Sequence, residues 1–359
     1  MTHRLDVDAL PASIARARRI LIVRLSSIGD VVHTLPLLTA LREAAPQAEV
    51  SWLVQASIAP LIEPVVRTLP FDRAHPWRSL PTLRRRLRDF APEVTLDLQG
   101  NTKSAVLAAS SGASLRIGLH ADDCREWPNA LLSTHCFPKM SSQHAVERTL
   151  ESARWLGASG IPSFELGFTR EERSAAQDAL DALGIPQEGP VVCLNAGRTT
   201  DLRSWPLDRQ TALAIELAGR GHTVLIQGGP AEEADSPAWR AALNGRPRIH
   251  LALGSWRLRL LGAVYSVLAE RHHLVVGGDS GPLHLAAATG ARTLGWYGPQ
   301  DPERTGPYGP RASVLLADTA LPCRPCLRRR CHFERPVACL RDLTVARVAD
   351  RIEARISES

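Results

Sequence analysis

The chain alternates short apolar runs with helical patterns, and this alternation starts over near its middle. In the first half the buried-strand candidates lie at 20–23, 49–54, 94–98 and 116–119. A stretch rich in Gly, Ser and Pro at 157–162 precedes a second series that begins at Pro190. Strands that alternate with helices favour parallel sheets covered by helices. The sequence therefore predicts an α/β protein with two Rossmann-like domains, whose parallel sheets face each other across a central cleft.

The predicted domains span 1–165 and 166–335, and a last helical segment, 336–359, is expected to pack back toward the first domain. A chain of 359 residues has room for two domains of about 150 residues each. Within the first domain, helical patterns are predicted over 57–70 and 79–90.

The charge of the chain is mildly positive, with 43 Lys and Arg against 37 Asp and Glu and a formal net charge of +6. A balance this small suits phosphate-bearing ligands or an anionic membrane face and argues against nucleic acid as a partner. No run reaches the roughly 18 apolar residues of a membrane-spanning helix, and the N-terminus lacks the apolar core of a signal peptide. We therefore expect a cytoplasmic protein with reduced cysteines.

The first strand candidate runs into a polar turn that places one carboxylate at the start of a helix. Residues 26–30, Ser-Ser-Ile-Gly-Asp, separate the strand from a helical pattern over 31–41. Ligands of such sheets bind beyond the carboxyl ends of the strands, where this turn lies. Asp30 is therefore a candidate for chemistry and equally a capping residue that stabilises the helix dipole.

Further polar side chains follow the other strands of the first half. Asp97, Gln99 and Lys103 surround a second turn of this kind and are expected to line the same cleft. His144 and Arg148 share one helix face through their i,i+4 spacing. For this pair a solvated face and a functional role both stay open.

In the second half, three polar turns carry the chemistry. Gly278 to Pro282 lies between a buried strand and a helix, where small residues and free N–H groups attract a diphosphate. The pattern is neither G-x-G-x-x-G nor G-x-x-x-x-G-K-[ST], which argues against a typical dinucleotide or Walker site. Arg203 can neutralise the diphosphate of a leaving nucleotide, and Glu232, after a Gly-Gly-Pro turn, can bind a ribose diol. Asp279 can accept hydrogen bonds from sugar hydroxyls or cap the helix that follows it.

In their order and spacing these motifs resemble those of the lipopolysaccharide heptosyltransferases, which form glycosyltransferase family 9. The resemblance covers nearly the whole chain and rests on residues 25–36, 97–100 with Lys103, 143–148, 203–206, 228–232, 278–284 and 297–299. It implies the two-domain GT-B fold, with acceptor binding at 1–165 and nucleotide-sugar binding at 166–335. It also implies an inverting transfer of heptose from ADP-heptose to a lipopolysaccharide inner-core acceptor, with peripheral contact to the inner membrane face.

The resemblance further implies roles for individual residues. Asp30 is expected to be the general base, and Arg203 is expected to stabilise the leaving diphosphate at a position where the family commonly has Lys. Donor binding is expected from Arg24, Ser27, Gly29, Thr199, Glu232, Asp279, Ser280, Gly281, Pro282 and His284. The acceptor-side candidates are Gln99, Lys103, His144 and Arg148. No cofactor is expected to be required for catalysis.

Three alternatives to this function stay open. Within the same family the acceptor could be a protein, as in the enzymes that glycosylate autotransporters. The same fold also serves nucleotide-sugar epimerases, which need an acid–base pair acting on the donor alone. The third alternative is a non-catalytic interaction protein, against which the presence of Asp30, Arg203, Glu232 and Asp279 argues.

Four cysteines near the C-terminus form a C-x2-C-x4-C-x7-C pattern, Cys323, Cys326, Cys331 and Cys339. This density is typical of metal ligands, although the spacing is less regular than that of paired C-x-x-C knuckles. The autotransporter-glycosylating group of the family resembles this chain in carrying a Cys-bound iron. A structural zinc or iron and reduced thiols packed in a loop both stay open, and neither is expected to take part in catalysis.

One helical pattern, 79–90, carries a strongly basic face. Its apolar residues, Leu80, Leu83, Leu87 and Phe90, lie opposite Arg84, Arg85, Arg86 and Arg88. Such a face is either simply solvated or a docking strip for a phosphorylated or membrane-held partner.

Overall fold

The computed structural model describes residues 9–198, 200–243, 245–328 and 330–358. The chain divides into two compact units, Met1–Gly167 and Phe168–Ser359. This division falls two residues after the predicted boundary at 165.

The first unit is built on a six-stranded, wholly parallel sheet in the order β3-β2-β1-β4-β5-β6. Its strands are β1 Arg19–Val23, β2 Glu49–Gln55, β3 Arg67–Phe71, β4 Val94–Asp97, β5 Leu115–Gly118 and β6 His135–Cys136. Its helices are α1 Leu10–Arg16, α2 Ile28–Ala44, α3 Ala59–Ile62, α4 Pro76–Phe90, α5 Thr102–Ala109 and α6 Ala145–Trp155. The strand order reverses between β1 and β4, so the loops that follow these two strands flank the crevice where such sheets bind ligands.

Helices cover both faces of this sheet, which explains why its central strand is apolar on both sides. Ile20, Leu21, Ile22 and Val23 of β1 are each 0% exposed. Right-handed crossovers place α2 and α3 on one face and α4 and α5 on the other. Leu83 and Leu87 of α4 share one apolar cluster with Leu107 of α5 and with Leu21 and Val23 of β1.

The helix predicted over 57–70 is wrong. The structure has the short helix α3 and then the strand β3, which pairs in parallel with β2. Pro64 lies two residues after the end of α3 and prevents its continuation, because a proline cannot donate the helical hydrogen bond. The β-branched run that comes next suits an extended backbone, and Pro70 is tolerated because β3 is an edge strand.

The second unit repeats the same topology, with a parallel sheet in the order β12-β11-β10-β7-β8-β9. Its strands are β7 Val191–Asn195, β8 Thr223–Gly228, β9 Ile249–Leu253, β10 Leu274–Gly278, β11 Arg292–Tyr297 and β12 Ala312–Leu316. Its helices are α7 Arg170–Asp181, α8 Leu207–Gly219, α9 Ser236–Leu243, α10 Leu258–Glu270, α11 Gly281–Ala288, α12 Pro302–Thr305, α13 Ala338–Arg341 and α14 Val345–Ser357. The strand order reverses between β7 and β10, whose loops carry Arg203 and Asp279.

The C-terminal helix is part of the second unit, and the expected packing of 336–359 toward the first domain stays a prediction. Val348, Ala349 and Ile352 of α14 are each 0% exposed within the apolar core of the second unit. Two polar pairs join α14 to the end of α8 and the residues after it, Arg220–Asp350 at 2.9 Å and His222–Glu353 at 2.7 Å. The apolar face was visible in the sequence, but the surface that it covers was not.

Candidate active site

Asp30 lies in the first turn of α2, at the carboxyl end of β1, and three donors surround its carboxylate. Oδ1 accepts a hydrogen bond from Nη2 of Arg24 at 2.7 Å. Oδ2 accepts from the backbone N–H of Ser27 at 2.8 Å and from Oγ of Ser27 at 3.0 Å. Because Ser27 is the N-cap residue of α2, the carboxylate does cap the helix. The side chain is nevertheless 39% exposed, so it stays accessible to a ligand.

The charge state of Asp30 follows from this environment. Burial, the largest influence, raises the pKa of the carboxyl, but the Arg24 charge and the hydrogen bonds from Ser27 and Arg24 together outweigh it. The net effect is a pKa below the ordinary value of 3.8. Asp30 is therefore an anion at neutral pH, which is the protonation state that a general base requires.

Arg24 and Gln99 hold the loop that carries Asp30. Arg24 donates through Nη1 to the backbone carbonyl of Leu98, besides its bond to Asp30. Oε1 of Gln99 accepts the backbone N–H groups of Leu25 at 2.9 Å and Ser26 at 3.2 Å. Both side chains thus tie the loop after β1 to the loop after β4. The side-chain oxygen of Gln99, a predicted acceptor-side residue, thus already accepts two backbone hydrogen bonds.

The remaining predictions for the first unit fall in different surroundings. Gly29 is buried in the first turn of α2, while Lys103 is exposed on α5. His144 caps α6 by accepting the backbone N–H of Val146 at 3.2 Å. Arg148 pairs at 3.0 Å with Asp123, whose side chain is only 6% exposed. His144 and Arg148 therefore both stabilise the structure locally, whatever further role they have.

Asp97 is buried rather than lining a cleft, which corrects the prediction. Its side chain accepts hydrogen bonds from Nδ2 of Asn129 at 2.7 Å, from Oγ of Ser104 at 2.9 Å and from the N–H of Gln99 at 3.0 Å. Burial raises the pKa of Asp97 despite these bonds. The residue joins the end of β4 to α5 and to the 3-10 segment Trp127–Leu132. Asn129 was missed by the sequence analysis, because it follows Asp97 by 32 residues.

In the second unit, Arg203 lies in the loop after β7 and is held by Asp201. Its Nε and Nη2 donate to the two carboxylate oxygens of Asp201 at 3.1 Å and 2.7 Å. These bonds raise the pKa of Arg203, so the guanidinium stays charged. Its third nitrogen, Nη1, lies 3.8 Å from Oδ2 of Asp279, and the side chain is 41% exposed. Asp201 was not predicted; its only signal was its position two residues before Arg203.

Asp279 directly follows β10, in the two-residue loop before α11, and is only 9% exposed. Nε2 of His284, one turn into α11, lies 3.2 Å from Oδ1 of Asp279. The hydroxyl of Tyr297 donates to the backbone carbonyl of Thr305 at 2.9 Å, and burial and the nearby charge of Asp279 raise its pKa. Asp279, Arg203 and His284 therefore form one group at the carboxyl end of β10.

Glu232 lies after β8 and is linked to the same group through Arg198. Its Oε2 accepts the backbone N–H of Gly229 at 2.8 Å, and its Oε1 lies 3.4 Å from Nε of Arg198. Nη2 of Arg198 also lies 3.9 Å from Asp201. Burial raises the pKa of Glu232 in spite of these partners. The acids and arginines alternate in space from Glu232 to Asp279.

The start of α11 offers hydrogen-bond donors beside this group. Ser280 is the N-cap residue of α11, and Gly281 and Pro282 open the helix. Oγ of Ser280 is buried and has no hydrogen-bond partner among the described residues. A Cβ atom on Gly278 would come within 2.8 Å of the carbonyl oxygen of Arg203, so this glycine lets the two loops approach. Thr199, the remaining donor-side prediction, lies outside the described residues.

A tryptophan anchors the Arg203 loop. Nε1 of Trp205 donates to the backbone carbonyl of Leu340 at 3.0 Å, and its ring lies 5.4 Å from that of Trp296. Both tryptophans are 1% exposed. The segment before α14 thus holds the loop that presents Arg203.

The four C-terminal cysteines line one cavity together with apolar residues such as Leu202 and Phe333. Burial and the neighbouring thiols raise the pKa of Cys339 to about 11, so this thiol is protonated. Within the described ranges, no group of three or more His, Cys, Asp or Glu residues is arranged to bind a metal. The bound structural zinc or iron, like the alternative of plain reduced thiols, stays a prediction.

Across the parts of the chain that the structure describes, no helix has both the length and the apolar character needed to cross a bilayer.

Comparisons with known proteins point to one family. The model of glycosyltransferase family 9 (heptosyltransferase) matches residues 81–336. Lipopolysaccharide heptosyltransferase 1 of Pseudomonas aeruginosa is 30% identical over 366 residues, which cover 94% of this chain and 98% of that protein. The Escherichia coli enzyme of the same name is 31% identical over 316 residues, 83% of this chain and 93% of that protein.

Solved structures show the same fold. Escherichia coli heptosyltransferase WaaC with ADP superposes with a TM-score of 0.69 at 26% identity, covering 95% of this chain and 98% of that one. A glycosyl transferase family 9 structure from Veillonella parvula gives a TM-score of 0.80 at 21% identity, with 95% and 98% covered. The two parallel sheets therefore have the GT-B fold, and the chain belongs to glycosyltransferase family 9, the heptosyltransferases.

Proposed function

We propose that this glycosyltransferase transfers heptose from ADP-heptose to a lipopolysaccharide inner-core acceptor, with inversion at the anomeric carbon. The observation that carries the proposal is the near full-length match to lipopolysaccharide heptosyltransferase 1 of Pseudomonas aeruginosa. The structure of WaaC with ADP-2-deoxy-2-fluoro heptose, 27% identical to this chain, supports the choice of donor. The peripheral contact with the inner membrane face is part of this proposal, because the acceptor is a lipid-anchored glycan.

The donor is assigned to the second unit. Arg203 and Arg198 carry the positive charge that a diphosphate requires. In the structure, Arg203 pairs with Asp201 and Arg198 lies close to Glu232. When ADP-heptose binds, its phosphate oxygens replace Asp201 as the acceptors of Arg203. The N-terminus of α11, with Ser280 Oγ and the N–H of Gly281, supplies further donors to the phosphates. Pro282 opens this helix without requiring a hydrogen-bond partner for its nitrogen.

The other donor-side residues bind the uncharged parts of ADP-heptose. The Glu232 carboxylate accepts hydrogen bonds from the two hydroxyls of the adenosine ribose. Asp279, oriented by His284, accepts hydrogen bonds from the heptose hydroxyls. The sequence also predicts that Thr199, Ser27 and Gly29 contribute to donor binding.

The reaction requires one base and one stabilised leaving group. The Asp30 carboxylate takes the proton from an acceptor hydroxyl while that oxygen attacks the anomeric carbon on the face opposite the diphosphate. The bond from the anomeric carbon to the diphosphate oxygen breaks, and its electron pair leaves with ADP. Arg203 stabilises the charge that develops on that oxygen. The acceptor side is assigned to Lys103, His144 and Arg148, with Gln99 holding the loop.

The test is an incubation of the purified protein with ADP-heptose and a lipopolysaccharide acceptor that lacks its first heptose. We expect the acceptor to gain one heptose by mass spectrometry, with release of one equivalent of ADP. The Asp30→Asn variant should form this product at least about a hundredfold more slowly. Consumption of ADP-heptose without an acceptor would instead show an epimerase or hydrolase. Heptose found only on an added autotransporter protein would overturn the proposed acceptor.

A further inference from the structure

The outer face of α4 carries arginines that have no partner. Arg84, Arg85, Arg86 and Arg88 are all exposed, and within the described residues none of them forms an ion pair or side-chain hydrogen bond. Elsewhere in the same unit, arginines pair with acids: Arg19 with Glu93, Arg42 with Glu165 and Arg67 with Glu49. These four positive charges stand beside one exposed acid, Asp89, so the face keeps an excess of positive charge and suits an anionic surface.

Apolar side chains are exposed on the neighbouring elements. Trp127 is 64% exposed, Leu131 is 71% exposed and Val106 is 53% exposed. Trp127 and Leu131 lie on the 3-10 segment Trp127–Leu132, which packs against α5, and Val106 lies on α5 itself. Isolated apolar residues on a surface need no explanation, but three on two packed elements form a patch.

The arginines and the apolar patch belong to one layer of the fold. The inward sides of α4 and α5 cover the same face of the sheet, since Leu83, Leu87 and Leu107 share one apolar cluster. Their outward sides therefore form one surface. We call this surface the outer layer face and define it by Arg84, Arg85, Arg86, Arg88, Val106, Trp127 and Leu131.

We infer that the outer layer face binds the surface of an anionic phospholipid bilayer. The guanidinium groups pair with lipid phosphates, and Trp127 and Leu131 enter the interfacial region, where tryptophan is favoured because its ring is apolar and its N–H is polar. Each basic residue near an anionic membrane strengthens binding about fivefold. The inference deepens the proposed function and rests on it, because a lipid-anchored acceptor lies in the plane of a bilayer.

Vesicle sedimentation with the full-length protein tests this surface. The probes are vesicles of phosphatidylcholine alone and of phosphatidylcholine with phosphatidylglycerol, both without any acceptor. We expect binding to the anionic vesicles only, weakened by added salt. The triple variant Arg84→Gln, Arg85→Gln, Arg86→Gln should weaken this binding by about a hundredfold, from about fivefold per residue. The double variant Trp127→Ser, Leu131→Ser should also weaken it.

Matched controls come from the opposite side of the same unit. Arg16, Arg18 and Arg154 are exposed on and after α1 and on α6, so changing all three to Gln removes the same charge elsewhere. Ile161 is 69% exposed in the loop after α6, and Ile161→Ser removes an apolar side chain outside the outer layer face. We expect both controls to bind anionic vesicles like the wild type. Equal losses in test and control variants, or equal binding to neutral vesicles, would overturn the inference.

Two further measurements separate the inference from the proposed function. The test variants should transfer heptose normally to a delipidated, water-soluble acceptor and poorly to an acceptor embedded in anionic vesicles. Transfer without vesicle binding would overturn the surface alone, and vesicle binding without any transfer would overturn the function alone. Light scattering without vesicles tests whether the outer layer face instead binds a second copy of the chain. A dimer that Trp127→Ser, Leu131→Ser dissociates would assign the outer layer face to a second copy of the chain and overturn membrane binding.

Discussion

The double position of Asp30, as helix cap and proposed base, allows a sharp test. The substitution Asp30→Asn keeps the shape of the side chain and its ability to accept one of the hydrogen bonds from Arg24 or Ser27. It removes the negative charge and the capacity to take a proton. The same change should therefore mainly lower stability if Asp30 is only a cap, and mainly lower turnover if Asp30 is the base.

The two losses differ in size. Loss of a cap costs about 1 kcal/mol of unfolding free energy, which lowers the melting temperature by about 2–4 °C for a unit of this size. The ion pair with Arg24 adds little, because the carboxylate is 39% exposed and solvent screens the pair. Loss of a general base lowers turnover by about 10²–10⁴-fold, or about 2.7–5.4 kcal/mol of transition-state stabilisation.

The assay is the initial rate of ADP release at saturating donor and acceptor, beside ADP affinity by calorimetry and a thermal melt. We expect a rate loss of at least about a hundredfold with nearly unchanged ADP affinity. The control is Asn101→Ala, which removes the comparable cap of α5, where Oδ1 of Asn101 accepts the N–H of Ser104 at 2.9 Å. It should lower the melting temperature similarly and leave the rate within a few-fold. An Asp30→Asn enzyme as active as Asn101→Ala would leave Asp30 as a cap only.

Three other predictions concern charge and thiols. Arg24→Gln removes a charge that lowers the pKa of Asp30. That pKa then rises, and the acid limb of kcat/KM, where activity is lost as pH falls through it, should move to higher pH. An unmoved limb would mean that another group titrates. Arg203→Ala should weaken ADP binding and turnover together, since a cation of the proposed diphosphate site is lost, and Arg203→Lys should recover much of both. Calorimetry measures the ADP affinity and initial rates measure turnover. If both variants match the wild type, another cation binds the phosphates. EDTA should leave the initial rate unchanged, because the arginines neutralise the diphosphate in the proposed mechanism, whereas Cys326→Ser should lower the melting temperature by about 2–4 °C before it lowers turnover. Elemental analysis of the wild type tests whether zinc or iron contributes to that stability, and a rate that collapses at once on chelation with folding intact would contradict the mechanism.

In the proposed donor site, the acidic partner of Arg203 matters as well as the arginine itself. Asp201 accepts two hydrogen bonds along one edge of the Arg203 guanidinium, from Nε and Nη2, and so orients it. Burial raises the pKa of Asp201, but the bonds from Arg203 outweigh it and the carboxylate stays charged. In the proposed mechanism, Asp201 therefore holds Arg203 in place and competes with the diphosphate for it. A lysine at position 203 could not make this two-bond contact with Asp201, so its ammonium group would be less firmly oriented than the guanidinium.

The sequence by itself determined the alternation of strands and helices and the kinds of side chain at the strand ends. These features are local: a strand buried on both faces must be apolar, and a strand-to-helix turn needs small and capping residues. Asp30, Arg203, Glu232 and Asp279 became candidates for this reason, because each lies in the loop or the first helical turn that follows a strand candidate. The helix predicted over 57–70 failed at the same level, since its prolines had more influence than its apolar spacing.

Only the tertiary structure decided which groups these side chains contact. The bond from Arg24 to the Leu98 carbonyl joins residues 74 positions apart, and no local pattern encodes it. The same holds for Asp97, which is satisfied by Asn129, and for α14, which covers the second unit. Hydrogen bonds and apolar contacts between distant segments depend on how the sheets bring loops together, and that is settled by packing of the whole unit. The pattern thus determined which residues stand at the strand ends, whereas packing decided which of them are buried, paired or free to meet a ligand.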